Sequence, residues 1–239
     1  MPVLTDWSVH PTVEDVIRTQ HMDVEVIRRR RPVFLEIAAE AIRLAESLCK
    51  PKIVFQRLPV ERIIVDGIIL QGGLSLTSSF LAKQLAGAEE VIAAVCTISS
   101  DVEKRASELM ANNKSVEGYA LESASLVALG QVNDQFYASL EASARSLETK
   151  ISHRYSPGLP SWSVAEGQPE IFAIIENINT TVQLCENMQM IPMKSISYVV
   201  GIGKQLVRKG SECGFCGLRD HCTFRSMHDS QTVESVCQQ

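Results

Sequence analysis

Apolar residues recur at spacings of three and four through Leu35, Ala38, Ile42, Ala45 and Cys49. That period predicts a helix over 33–49, stopped by Pro51. Ahead of it, Thr12 with Asp15 three residues on marks the N-cap of a short helix. "KIVFQRL" and "RIIVDGIIL" are rich in branched side chains and read as two strands, the second broken at Gly72-Gly73. "TSSFLAKQLAG" starts on hydroxyl caps and ends on Gly87, the pattern of a helix with a glycine stop. "EVIAAVCTI" is a further strand. Ser100 and Glu103 have the capping-box spacing, and Val102, Ala106, Leu109 and Met110 line the helix face that follows.

Residues 117–147 read as one long helix or two joined ones. Its small residues (Ala120, Ser123, Ala124, Ser125, Ala128, Gly130) admit a second backbone or a flat ligand, and close helix packing is the preferred reading. Pro169 suits the first turn of a helix running to about Asn177. Beyond it Leu184, Glu186, Met188 and Met190 alternate on one strand, and Ile196, Tyr198, Val200 and Ile202 on the next, with a turn over 192–194. Helices and strands mix without the regular alternation of a doubly wound sheet, so the class is α+β. No internal repeat is visible.

Composition narrows the partners. The 239 residues are 45% hydrophobic and 21% charged, ordinary for a globular chain, and the formal net charge of −5 disfavours a general nucleic-acid binder. The run Arg28–Arg31 sits among Asp23, Glu25, Glu36 and Glu40, so a solvated helix entrance is preferred to a phosphate contact. No apolar run is long enough to cross a membrane, and the N-terminus lacks the basic-then-apolar order of a signal peptide. A cytoplasmic location is expected, with the seven Cys as thiols or metal ligands.

Three of them stand out. "ECGFCGLRDHC" places Cys213, Cys216 and Cys222 at C-x2-C-x5-C spacing, with Gly214 and Gly217 allowing the backbone to bend round the sulfurs. The pattern points to a metal site in a Cys-rich segment over 209–239, after a domain over 1–208. Spacing does not decide between an iron–sulfur cluster and zinc. A fourth ligand is sought among His221, His228, Cys237 and the distant Cys49, Cys96 and Cys185.

"HRYSPGLPSW", residues 153–162, is too polar for core and too rich in large side chains for a plain linker. It resembles the Arg-x-x-Pro-Gly-Tyr-Pro signature of the activation (reactivation) domain of cobalamin-dependent methionine synthase. It is closer still to the Arg-Phe-Ser-Pro-Gly-Tyr form of short stand-alone relatives. "LCENMQMIPMKSISYVVGI" is similar to the family's Leu-Thr-Glu-Ser…Met-x-Pro-x-x-Ser-x-Ser segment, and "AVCTISSDVEKRASEL" to its Thr-Ile-Gly segment. The stand-alone relatives often carry a similar Cys-rich tail.

The resemblance implies a twisted antiparallel sheet with flanking helices. It implies S-adenosylmethionine binding and docking on a cobalamin-carrying protein, in support of reductive methylation of oxidised cobalamin. Carried over, Arg154 contacts the ligand's carboxylate, for which a planar guanidinium is suited. Tyr155, Ser156, Pro157 and Gly158 supply backbone contacts, and Glu186 and Glu122 match family acids. The sequence departs from the family at Leu159, where an aromatic is expected, and at Cys185, in place of Thr. It also departs at Gly130, where stand-alone relatives carry a Glu. Without the resemblance, Arg154 reads as a helix-end arginine or a partner of Glu186, and His153 as an exposed residue beside a turn.

Two functions follow. One is an accessory protein for a corrinoid methyltransferase or split methionine synthase, with an electron donor such as ferredoxin or flavodoxin. The other is a non-enzymatic binding module stapled by zinc.

Overall fold

The structure is a computed structural model and describes residues 3–176, 178, 180–208, 210 and 214. Strand β1 (Val3–Leu4) precedes helices α1 (Val13–Thr19), α2 (Val24–Arg30) and α3 (Val33–Leu48). Strands β2 (Lys52–Ile64), β3 (Gly67–Leu70) and β4 (Ser75–Leu76) lead to α4 (Ser79–Gln84), β5 (Glu90–Thr97), α5 (Asp101–Ala111) and α6 (Ser115–Ser146). Then come β6 (Lys150–Ile151), α7 (Val164–Ile175), the pair β7 (Gln183–Leu184) and β8 (Met190–Ile191), and β9 (Ser195–Gly203). Among the described residues, the main sheet runs β4-β3-β2-β5-β9-β6, with β1 beside β2, and every pairing is antiparallel. The class is the α+β arrangement the chain's pattern predicts.

Central β5 is buried on both faces, and its alternation divides the core. Val91, Ala93 and Val95 face α4 and α7 together with Leu81, Leu85, Ile171 and Ile175. Ile92, Ala94 and Cys96 face the C-terminal half of α6, where Ala128, Val132, Phe136 and Leu140 meet them. The N-terminal half of α6 packs through Ala120, Leu121 and Ala124 on α1, α3 and α5. One long helix thus serves two cores with different sides. Its small residues are there for close packing, as preferred from sequence. At Gly118 a Cβ would come within 3.0 Å of the Ala106 carbonyl oxygen. Gly130 is the exception: it is exposed.

Several expectations are corrected. The two strands read from "KIVFQRLPVERIIVDGIIL" divide at a turn near Asp66, because β2 is one continuous strand of 13 residues. Its first half pairs with β5 and its second with β3, and the register shifts between Val60 and Arg62. Helix α7 begins ahead of Pro169: Ser163 and Glu166 close a capping box, leaving Pro169 inside the helix. Glu186 and Met188 lie in a turn between β7 and β8, not on a strand, and Met188 has φ +63°. Ser100 makes no side-chain cap. Ser99 Oγ instead accepts from the Asp101 amide at 3.0 Å. The Arg28–Arg31 run ends α2 rather than opening α3, with Arg28 paired to Glu25 and Glu14, a placement the helix dipole favours. The Thr12 capping box is present.

Candidate functional site

The Arg154 loop starts as an edge strand. Ile151 opposes Ile202 and Tyr155 opposes Val199, so four steps on this strand match three on β9. The extra residue is a β-bulge. In an unbroken strand Ile151 and Tyr155 would share a face. The bulge instead sends Tyr155 into the α7-side core and leaves Arg154 against α6.

On the α6 side, charges form a ladder. Arg154 Nη1 lies 2.6 Å from Asp134 Oδ1, and its guanidinium carbon sits 5.0 Å from the centre of the Tyr137 ring. The Tyr137 hydroxyl donates to the Ser152 carbonyl at 2.6 Å. Arg208 approaches the same ring at 5.8 Å and pairs with Glu141 at 2.9 Å. Its Nε donates to His153 Nδ1 at 3.1 Å, while His153 Nε2 lies 2.8 Å from the Gly210 carbonyl. His153 is therefore buried and bonded at both ring nitrogens, contrary to the exposed turn residue expected. Among the described residues the carboxylate paired with Arg154 is Asp134 rather than Glu186. Asp134, Tyr137 and Glu141 stand one helical turn apart on α6, which aligns the ladder. Sequence reasoning missed all three, along with Arg208.

Beneath the ladder lies a buried polar cluster. Cys96 Sγ faces Asn133 Oδ1 at 3.8 Å. The Tyr198 hydroxyl is buried with no hydrogen-bond partner among the described residues. Burial pushes the Cys96 thiol up to about 12, and Cys49 likewise up to about 11. Burial also raises the Tyr198 phenol well above its usual value.

On the other side the loop is anchored by packing. Gly158, at φ +103°, donates to the Trp162 carbonyl at 2.8 Å, and the Trp162 amide returns to Leu159 at 3.0 Å. Trp162 is fully buried, and its indole N–H donates to Glu170 at 2.9 Å. At Gly167 a Cβ would come within 2.6 Å of that indole, so the absent side chain makes the seat for the ring. Leu159 packs at the margin of this core. Ser161 Oγ accepts from the Phe80 amide at 3.1 Å, tying the bend to α4. A cleft of about 690 Å³ opens between Gly158–Ser163 and Thr77–Ser79.

The remaining site residues are dispersed. Pro157 and Ser156 are half-buried in the bend. Glu122 pairs with Lys194, near the other end of α6. At 1.5 Å per residue it lies roughly 18 Å along the helix from Asp134. Glu186 is exposed in the β7–β8 turn. Cys185 donates to Asn187 at 2.8 Å and to the Gln189 carbonyl at 3.1 Å. The "TISS" and "MIPM" segments do meet: Thr97, Ser99, Ser100 and Pro192 line a second cleft of about 600 Å³ with Lys50 and Lys52. Cys213, Cys216 and Cys222, with His221, His228 and Cys237, lie outside the described residues. No group of metal-ligating side chains occurs among the described residues, and no helix there is long and apolar enough to cross a membrane.

No protein-family model matches the chain, and no curated protein matches it. Among solved structures, the crystal structure of the MetH reactivation domain bound to AdoHcy is similar. The TM-score is 0.57 at 13% sequence identity, over 88% of this chain and 81% of that one. At this identity the likeness establishes a shared fold, an antiparallel sheet with flanking helices.

Proposed function

We propose that this chain binds S-adenosylmethionine at the Arg154 loop and docks on a corrinoid protein, serving the reductive methylation that returns an oxidised cobalt centre to use. The observation that supports this most is the position of Arg154. It sits on a strand bulge of a reactivation-domain fold, only 15% exposed, with its fork held beside α6. A guanidinium that half-buried, resting on an aromatic ring, is pre-organised for a carboxylate. The AdoHcy in the similar structure has such a carboxylate on its amino-acid end. Gly158 lets the backbone come close to a ligand, and Tyr155 and Trp162 anchor the bend from below.

In this reading the corrinoid supplies the methyl-transfer chemistry from the partner protein. The residues of this chain bind and orient the adenosyl ligand and shield it from water. The electron comes from a ferredoxin or flavodoxin, with Cys213, Cys216 and Cys222 proposed as an iron–sulfur relay. Zinc in the same cysteines makes the tail a structural staple instead. Anaerobically purified protein with broad absorption near 400 nm, bleached by dithionite, identifies the cluster. Colourless protein with one zinc per chain identifies the staple.

The test is calorimetric titration with S-adenosylhomocysteine. Wild type is expected to bind and Arg154→Ala to lose binding while keeping its melting transition. A pull-down from anaerobic lysate is expected to bring a cobamide-bearing protein. Its cob(II)alamin spin signal should then decline in the presence of S-adenosylmethionine, a reductant and this chain. A second reading has one observation in its favour, since the Arg154 fork already meets Asp134. There the loop is a docking element of a non-enzymatic module, and the titration gives no heat.

A further inference from the structure

We infer that the second cleft, beside the entrance of α5, is an anion-binding site that takes the phosphate of a small phosphorylated molecule. It is independent of the adenosyl reading and lies elsewhere on the sheet. Thr97 in its wall stands four residues along β5 from Ala93, and the neighbour of Ala93 on β9, Val199, is the residue that Tyr155 opposes. At about 3.4 Å per residue, that is roughly 14 Å along the sheet from the Arg154 loop.

The local sequence explains why cations and hydroxyls gather here. Lys50 precedes Pro51, which favours an extended backbone, so Lys50 and Lys52 stand two residues apart where α3 gives way to β2, and both line the cleft. Lys52 is the register partner of Thr97 on β5, which sets a hydroxyl beside it. Past β5 the chain turns through Ser99, at φ +99°, and Ser99 and Ser100 join the wall. Ser100 is the N-cap residue of α5, yet its side chain makes no cap bond, so its hydroxyl is available to a ligand. Thr181 adds a further hydroxyl.

The chain carries a net charge of −5, but no Asp or Glu lines this cleft among the described residues. Two ammonium groups and several hydroxyl donors, with no acid in the wall, select an anion. Lysines act as point charges that suit a tetrahedral phosphate, whereas a planar carboxylate is better matched by a guanidinium fork. About 600 Å³ is room for a small organic molecule rather than a bare ion. Asp101, on the first turn of α5, is paired with Lys50 at 2.6 Å. A phosphate entering the cleft takes Lys50 over from this carboxylate, which is part-exposed and turns back to water.

The probe is inorganic pyrophosphate, titrated calorimetrically at fixed ionic strength with sulfate as the control anion. Wild type is expected to bind it saturably. Lys52→Gln should weaken it about tenfold or more, the scale of one charge-assisted hydrogen bond. Ser100→Ala should weaken it by a smaller factor. Asp101→Asn should tighten it, because Lys50 is released, and a merely structural Asp101 would not have that effect. Arg154→Ala should bind pyrophosphate as wild type does. Melts establish that each variant folds, and if Lys52→Gln proves unstable, the more exposed Lys50→Gln carries the same test. Failure of wild type to bind pyrophosphate overturns the inference, as does unchanged affinity in the lysine variants. Displacement by an equal concentration of sulfate overturns it as well, since the cleft then holds an adventitious ion only. Loss of pyrophosphate binding in Arg154→Ala overturns it too, because the anion then sits at the adenosyl loop. The S-adenosylhomocysteine titration is separate from all of these, so the two readings fail independently.

Discussion

The two sides of the Arg154 strand are built to opposite rules. Towards α7, Tyr155 and Trp162 are fully buried, the indole N–H has its acceptor, and Gly167 is emptied of a side chain to admit the ring. Towards α6, charged groups crowd one aromatic ring, a phenol hydroxyl is buried beside the Cys96 thiol with no hydrogen-bond partner among the described residues, and a glycine leaves the helix surface open. A single bulge assigns neighbouring residues to the two sides. Packing on one side fixes the loop, and the other side keeps charged and polar groups beside the proposed ligand site.

Substitutions should separate the sides. Trp162→Ala is expected to cost ~3–5 kcal/mol of stability, as large-to-small changes at filled core positions do. Gly167→Val should also destabilise, since even a Cβ there would overlap the indole. Denaturant melts check both. A melt of Trp162→Ala matching wild type would remove the packed side from the comparison.

Arg154→Ala should behave the other way. Of its described contacts, the Asp134 pair is half-solvated and the ring contact modest, each about 1 kcal/mol or less, so the fold should survive the change. Ligand binding, read by titration, should disappear. Tyr198→Phe should be neutral or slightly stabilising in the same melts, since the buried hydroxyl has no hydrogen-bond partner among the described residues, only the weakly bonding Cys96 thiol nearby, and deletion removes its desolvation penalty. A clear loss of stability would mean that the hydroxyl is bonded.

The last effect is in pH. The Cys96 thiol is pushed up to about 12 in the folded chain, against roughly 8.5 when unfolded. Below the unfolded value both states hold the proton and the contribution is constant. Above it the unfolded chain releases the proton first, so stability falls as pH rises from roughly 8.5 towards the folded value. Cys96→Ala should flatten part of that slope in melts between pH 8 and 10. An unaltered slope would place the thiol in contact with water.

Local signals in the chain were readable where one element explained them. The Thr12 capping box, the long helix, β5 and the alternation of β9 are all where periodicity and caps put them. The motif also singled out Arg154 as a candidate. Its surroundings were not readable, because the partners come from the far side of the fold. Nothing in the spacing of Asp134, Tyr137 and Glu141 says that an edge strand will bring Arg154 and the Arg208 segment to them. The bulge is equally silent, since one unpaired residue in a polar run changes no hydrophobic pattern. Glu186 was misread for a related reason. Alternation in "LCENMQM" imitates a strand, while Asn187 makes a turn by accepting from the Gln189 amide.

The central claim is that the half-buried guanidinium of Arg154 holds the carboxylate of an adenosyl ligand. Calorimetric titration of S-adenosylhomocysteine into wild type and Arg154→Ala, with melts of both, tests it most directly. Saturable binding to wild type that vanishes in a folded Arg154→Ala is the expected result. Equal affinity in the two proteins, or no binding to wild type, would contradict it.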